Sequence, residues 1–248
     1  MSFESLKARM PKNSAVSSLV LALLISYRPA HAGDGFVVGS GGGAIVCEHK
    51  INSCDLPIPQ RSFCEELDFR TPVTQEYFIA RSTANAQQSR YMSLWTAKDS
   101  QQTEHILLTK LQSSSFLSSL KLIKKAMGTI SSRGVNIELK SLDALINFMH
   151  DSFLPFELPF GCRQRLVAYR STNGTVMYQG QLWQQLELSK GASQQAILQM
   201  HEWIYHYGKT MRGHANSHNT QKLIVYLLQQ PTQSDDLDIV LRNLDFAD

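Results

Sequence analysis

Long apolar runs are scarce in this chain. The stretch Ala15 to Ser26 (AVSSLVLALLIS) is 12 residues long, well short of the roughly 20 that a bilayer-spanning helix needs. Familiar catalytic patterns are missing too. No HExxH run is present, no G-x-S-x-G elbow surrounds Ser217, and the glycines at Gly39 to Gly43 carry no Lys-Ser/Thr. Those gaps argue against a standard zinc protease, an α/β-hydrolase and a phosphate loop. No pair of cysteines has CxxC spacing, and no repeat or low-complexity array is found.

What the first 32 residues do contain is the pattern of a secretory signal. Lys7, Arg9 and Lys12 precede the apolar run, and Ala30-His31-Ala32 supplies a small-x-small cleavage site ahead of Gly33. No cysteine follows the run at a lipoprotein position. The expectation is a periplasmic or secreted protein without a transmembrane helix after signal removal. Charge is informative only after that step. The chain has 24 basic and 21 acidic residues, and the signal holds Lys7, Arg9, Lys12 and Arg28 against Glu4, leaving 20 of each. A balanced mature chain has no nucleic-acid footprint. The one basic cluster, Lys121, Lys124 and Lys125, has no aromatic residues between its members and reads as a solvated helix face.

Four cysteines, Cys47, Cys54, Cys64 and Cys162, remain in the exported part. In an oxidising compartment an even number points to two disulfides, with three possible connectivities. One of the three joins Cys47 to Cys54 across a hairpin tip and leaves Cys64 to reach Cys162. A metal clip of Cys47, His49 and Cys54 is the weaker reading on compartment grounds.

Along the chain, 33–43 reads as a flexible glycine-rich lead-in, 44–155 as a mixed α/β region and 156–248 as a β-hairpin followed by helices. Ala44–Cys47, Tyr77–Ala80, Tyr91–Trp95 and Val135–Leu139 look like short strands. Helical periodicity runs from Thr103 to Met127, broken by Ser113-Ser114-Ser115, and Ser141 is placed to cap a helix over 142–150. The chain breaks near residue 155, at Phe153-Leu154-Pro155 and Leu158-Pro159. Asn173-Gly174 joins strand-like runs over 165–170 and 175–182 in a hairpin; Asn173-Gly174-Thr175 also fits a glycosylation sequon, with the turn the better explanation. Ser193 caps a helix ending near Gly208, Asn216 or Ser217 caps another through Leu228, and a last one spans 236–243. The fold class predicted is α+β: a helix-rich compact domain with a β-hairpin packed on C-terminal helices.

His201-Glu202-Trp203-Ile204-Tyr205-His206 is the chemically richest stretch, and His214 and His218 follow it closely. A metal-binding helix places two histidines four residues apart so that both rings share a face. Here Tyr205 holds that position, and His206 lies about 140° around the helix from His201. A metal site therefore has to use Tyr205 as a phenolate ligand or recruit His214 or His218, with zinc as the metal and Glu202 as general base. The other reading is a polar architecture: His201 bonds a neighbouring segment, Glu202 accepts from backbone or pairs with Arg212 or Lys209, and Tyr205, Asn216 and Ser217 fix the following loop.

The motif order itself is distinctive. It runs Leu158-Pro159-x-x-Cys162-x-Gln164-x-x-x-Ala168-x-Arg170, Leu182-Trp183-x-x-Leu186, Ala196-x-Leu198-x-x-His201-Glu202-x-Ile204-Tyr205 and Gly213-His214-x-Asn216-Ser217, with Gly42-Gly43-Ala44-Ile45-Val46-Cys47 near the mature N-terminus. It resembles a set of uncharacterised exported proteins of Bdellovibrio-like Gram-negative bacteria. The resemblance implies export and an HE-x-x-Tyr helix followed by an Asn-Ser cap. It implies no activity. Thr220-Gln221-Lys222 departs from it, standing where an arginine would follow Asn-Ser. The functional expectation is an envelope protein with a structural or interaction role. The alternative is a divalent-metal hydrolase with a degenerate HE helix.

Overall fold

A computed structural model describes residues 39–57, 63–93, 99–112, 115–137, 154–170, 175–188, 192–230 and 236–248. The signal segment, 33–38 of the lead-in, the helix expected over 142–150 and the Asn173-Gly174 turn lie outside the described residues.

The described strands are β1 (Gly39–Cys47), β2 (Ile51–Asn52), β3 (Glu66–Leu67), β4 (Val73–Thr74), β5 (Val135–Asn136), β6 (Cys162–Arg170) and β7 (Val176–Tyr178). The helices are α1 (Gln75–Thr83), α2 (Ala86–Ser93), α3 (Ser100–Lys110), α4 (Ser115–Met127), α5 (Ile130–Arg133), α6 (Gly180–Glu187), α7 (Gln194–Met211), α8 (His218–Gln229) and α9 (Leu237–Asn243). A mixed sheet of order β4-β1-β6-β7-β5 packs against helices, with β5 parallel to β7 and the other pairs antiparallel. β2 and β3 form a separate antiparallel pair. The α+β class holds.

Glycine is the largest departure from the sequence reading. Gly39–Gly43 is not lead-in but half of β1, hydrogen-bonded along β6 in a register that includes Gly42↔Ala168 and Gly43↔Leu166. The reason is steric. A Cβ on Gly42 would overlap Leu198 Cδ1 of α7, so the missing side chain lets the helix sit directly on the strand. A Cβ on Gly43 would come within 2.8 Å of Gln75 Oε1. β1 lies before residue 155 and β6 after it, so the expected boundary there does not divide the fold. Residues Phe36–Asp248 make one compact unit.

One apolar run expected as a strand is a helix instead, and so is the described part of another. Thr74 Oγ1 accepts from Tyr77 N at 3.3 Å and starts α1, which contains Tyr77–Ala80; Tyr91–Ser93 closes α2. The N-cap outweighs the local β-like composition. The hairpin is present, with Ala168↔Tyr178 and Arg170↔Val176 in register, but its second strand is short and Gly180 already begins α6.

α7 organises the interior. Ser193 Oγ accepts from Ala196 N at 3.3 Å at its start, as the cap position predicts. The helix then passes through Gly208 and ends at Met211. Gly208 is no stop: the His214 ring covers it, leaving no room for a Cβ. Gly213, with φ of +72°, supplies the left-handed residue that ends the helix. The run is also not amphipathic in its setting, because residues 196–205 are all buried. A helix buried on all sides is a core helix. One side, with Ile197, Met200, Trp203 and Ile204, joins the helical core formed with Leu107, Phe116, Leu120, Leu223 and Leu227. On another, Leu198 packs with Ala44, Val167 and Ala168 of the sheet.

The disulfides are Cys47–Cys162 and Cys54–Cys64. The Cys47–Cys54 and Cys64–Cys162 pairing is therefore wrong. Cys47 and Cys162 face each other across β1 and β6, with Cα atoms 4.0 Å apart, a distance set by the strand register. Cys54 closes a short loop of its own. Forming two disulfides, the four cysteines suit an oxidising compartment. No described helix is long and apolar enough to cross a membrane.

Candidate functional site

The HE stretch lies in the middle of α7, and helical geometry gives its polar residues a common side. Taking Ile197 as zero and 100° per residue, His201, Tyr205, Glu202 and His206 fall between about 40° and 180°. That sector is the one away from the helical core.

Glu202 is fully buried, and its Oε2 accepts from Arg170 Nη2 at 3.1 Å. Arg170 is the last residue of β6, so the pair joins the centre of α7 to the sheet. His201 is 2 % exposed, and its Nδ1 lies 2.6 Å from Glu76 Oε1 in the first turn of α1. Glu76 is itself 1 % exposed. Two acidic and two basic side chains are thus taken out of water together. The Arg170–Glu202 ion pair offsets part of its desolvation through this direct contact.

The remaining members lie one helical turn further on. Tyr205 is buried one turn after His201, with ring centroids 6.4 Å apart, and Lys209 Nζ stands 5.9 Å from the Tyr205 ring centroid. His206, one turn after Glu202, has its pKa lowered to about 4, first by burial and then by the Arg170 and Lys209 cations. It is a neutral imidazole at neutral pH. Polar glutamines extend the network at its edge. Gln194 Oε1 accepts from Thr74 N at 2.9 Å and Thr74 Oγ1 at 3.1 Å, and Gln199 Oε1 accepts from Ile130 N at 2.6 Å.

Two of the three histidines named as metal ligands, His201 and His214, have separate ring partners. His201 is engaged with Glu76. His214 packs on Gly208 and Phe246, its Nε2 3.0 Å from the Asp245 carbonyl oxygen. Gly208 is two turns, about 10 Å, along the helix from His201. His218 begins α8, where its backbone N donates to Asn216 Oδ1 at 3.1 Å. Among the described residues no group of three or more His, Cys, Asp or Glu is arranged to hold a metal. The His214 ring turns toward the C-terminal residues Asp245 and Phe246. Ser217 is the N-cap of α8 by position, but its hydroxyl makes no capping bond; Asn216 supplies it.

Glu202 does not pair with Arg212 or Lys209. Arg212 Nη1 goes to Asp248 at 2.8 Å, and Arg170 takes Glu202. The residues missed by the sequence reading are thus Glu76 and Arg170. Arg170 carried a signal, since it ends the Leu158-to-Arg170 motif. Glu76 carried none: it is 125 positions from His201.

Chemically, this arrangement can lock a helix between a strand and a second helix. The Glu202 carboxylate meets a guanidinium and the Glu76 carboxylate an imidazole inside the fold. No family model, curated protein or solved structure matches the chain.

Proposed function

We propose that this is an exported protein of the bacterial envelope, periplasmic or secreted, with a structural or interaction role, in which the HE stretch is a fold-locking polar network. The observation that carries the reading is the Arg170–Glu202 pair: the residue suited to be a general base is fully buried and engaged with a guanidinium. The two disulfides and the signal pattern support export.

A divalent-metal hydrolase with Glu202 as base, His201 as ligand and His214 or His218 completing the set is the competing reading. The separate ring partners of His201 and His214 count against it. The experiment is expression of the full chain in a Gram-negative host, followed by fractionation and zinc analysis of the purified mature form. The proposal expects a mature N-terminus at Gly33 outside the cytoplasm and no stoichiometric zinc after dialysis against zinc and then metal-free buffer. Cytoplasmic retention would overturn export; one tightly held zinc per chain, lost in His201→Ala, would overturn the structural role.

A further inference from the structure

The two disulfides are nested. Cys54–Cys64 lies inside the span of Cys47–Cys162, so the first cysteine of the chain pairs with the last. The inner pair is local: it spans 10 positions and is bracketed by the β2–β3 ladder, where Ile51 faces Leu67 and Asn52 faces Glu66. The outer pair spans 115 positions, and Cys47 meets Cys162 only when β1 has found its register on β6.

Before that register exists, chain entropy favours other partners for Cys47. Cys54 is 7 positions away and Cys64 is 17. With closure probability falling as the 3/2 power of loop length, Cys162 is disfavoured by about 70-fold against Cys54 and about 20-fold against Cys64. Cys162 also follows Cys64 by 98 positions, so in export from the N-terminus the other three cysteines meet the oxidant first. Neither short pairing fits the fold. Cys47 is 3 % exposed and packs with Ile45, Ile51 and Leu56, whereas Cys54 and Cys64 are exposed. Joining Cys47 to either one draws it out of that core or draws the exposed loop inward, and leaves Cys162 without its partner across the ladder. Completing the fold therefore requires exchange.

We propose that this protein is a client of a dithiol disulfide isomerase, which converts Cys47–Cys54 and Cys47–Cys64 mispairs to the native connectivity. An isomerase thiolate attacks Cys54 Sγ of Cys47–Cys54, that bond breaks, and Cys47 leaves as a thiolate. The Cys64 thiolate then attacks Cys54 Sγ in the mixed disulfide, forming Cys54–Cys64 and returning the isomerase thiolate. One disulfide is broken and one formed, with no net oxidation. The Cys47–Cys64 mispair resolves in the same way, with Cys54 and Cys64 exchanging roles. Cys47 and Cys162 then give two electrons and two protons to a disulfide oxidant, which becomes a dithiol. Burial of Cys47 shields the finished bond from further attack.

The inference rests on export to an oxidising compartment; retention in the cytoplasm would remove that premise, whereas the exchange itself is read on the purified chain. The reduced, urea-unfolded mature protein is diluted into a glutathione redox buffer, with or without catalytic reduced protein disulfide isomerase. Free thiols are alkylated at intervals, and linked peptides are mapped by mass spectrometry. Chains carrying Cys47–Cys54 or Cys47–Cys64 are expected to precede Cys47–Cys162, and the isomerase to speed the native pair by about tenfold or more. Cys54→Ala combined with Cys64→Ala removes the wrong partners, so Cys47–Cys162 should then form at the same rate with and without isomerase. The wild-type comparison stands by itself if that variant does not fold. Native pairing with no Cys47–Cys54 or Cys47–Cys64 species, a wild-type rate unchanged by the isomerase, or an acceleration that persists in the double variant would overturn the proposal.

Discussion

Arg170 Nη2 donates to Glu202 Oε2 at 3.1 Å, and neither side chain is more than 10 % exposed. The contact ties the end of β6 to the middle of α7. If it is a lock, removing one partner strands a buried charge. Arg170→Met should cost about 3–5 kcal/mol, whereas Arg170→Met combined with Glu202→Leu should recover most of the loss, since apolar replacement of both partners is often near neutral. Urea midpoints at constant slope measure this. A neutral Arg170→Met would remove the basis for a structural role.

Gly42 and Gly213 are required for different reasons, and substitution separates them. A Cβ at Gly42 overlaps Leu198, which is fully buried and has nowhere to move. Gly42→Ala should therefore cost about 1–3 kcal/mol by overpacking, and adding Leu198→Ala should give a double-mutant loss smaller than the sum of the two. Gly213 meets no atom within 4 Å, but its φ is +72°. Gly213→Ala should cost about 1–2 kcal/mol from backbone strain alone, with no coupling to Leu198.

The disulfides differ in the chain they constrain. Cys47–Cys162 spans 115 positions and Cys54–Cys64 spans 10. Loop-closure entropy gives about 5 kcal/mol for the first and about 3 for the second. Replacing each pair by alanines and comparing denaturation midpoints should reproduce that order. Equal losses would mean that the register of β1 on β6 holds without its crosslink.

How much of this was visible in the sequence depends on the range of each interaction. The start of α7 at Ser193, the break between α3 and α4 at the serine run, the helix over 237–243 and the β6–β7 pairing were legible because caps, turns and periodicity act over a few residues. Gly42 was not: its meaning comes from Leu198, far along the chain, and without that helix a glycine run reads as flexible. The cysteines show the same limit, since their pairing follows strand register rather than spacing. At the HE stretch, the spacing alone separated His206 from His201. The Glu76 and Arg170 partners emerged only when α1 and β6 were packed against α7.

Buried cations and a buried imidazole give the stability a definite pH profile. Lys110 has its pKa lowered from 10.5 to about 7 by burial. Below about 7 it is charged in both folded and unfolded chains, and the folded state bears the full desolvation cost. As pH rises from about 7 to 10.5 the folded chain releases this proton first, so stability climbs, by a few kcal/mol at most. His206 has its pKa lowered from 6.5 to about 4, so it adds an earlier rise between those values. No free thiol titrates in the upper window, and Tyr77 and Tyr207 are pushed above their ordinary value of 10.0. Lys110→Met should therefore flatten the rise above pH 7 and leave the lower one intact. His206→Gln should do the converse. Urea denaturation across pH 4 to 10 reads both, and a slope above pH 7 that survives Lys110→Met would show that Lys110 is not the group being titrated.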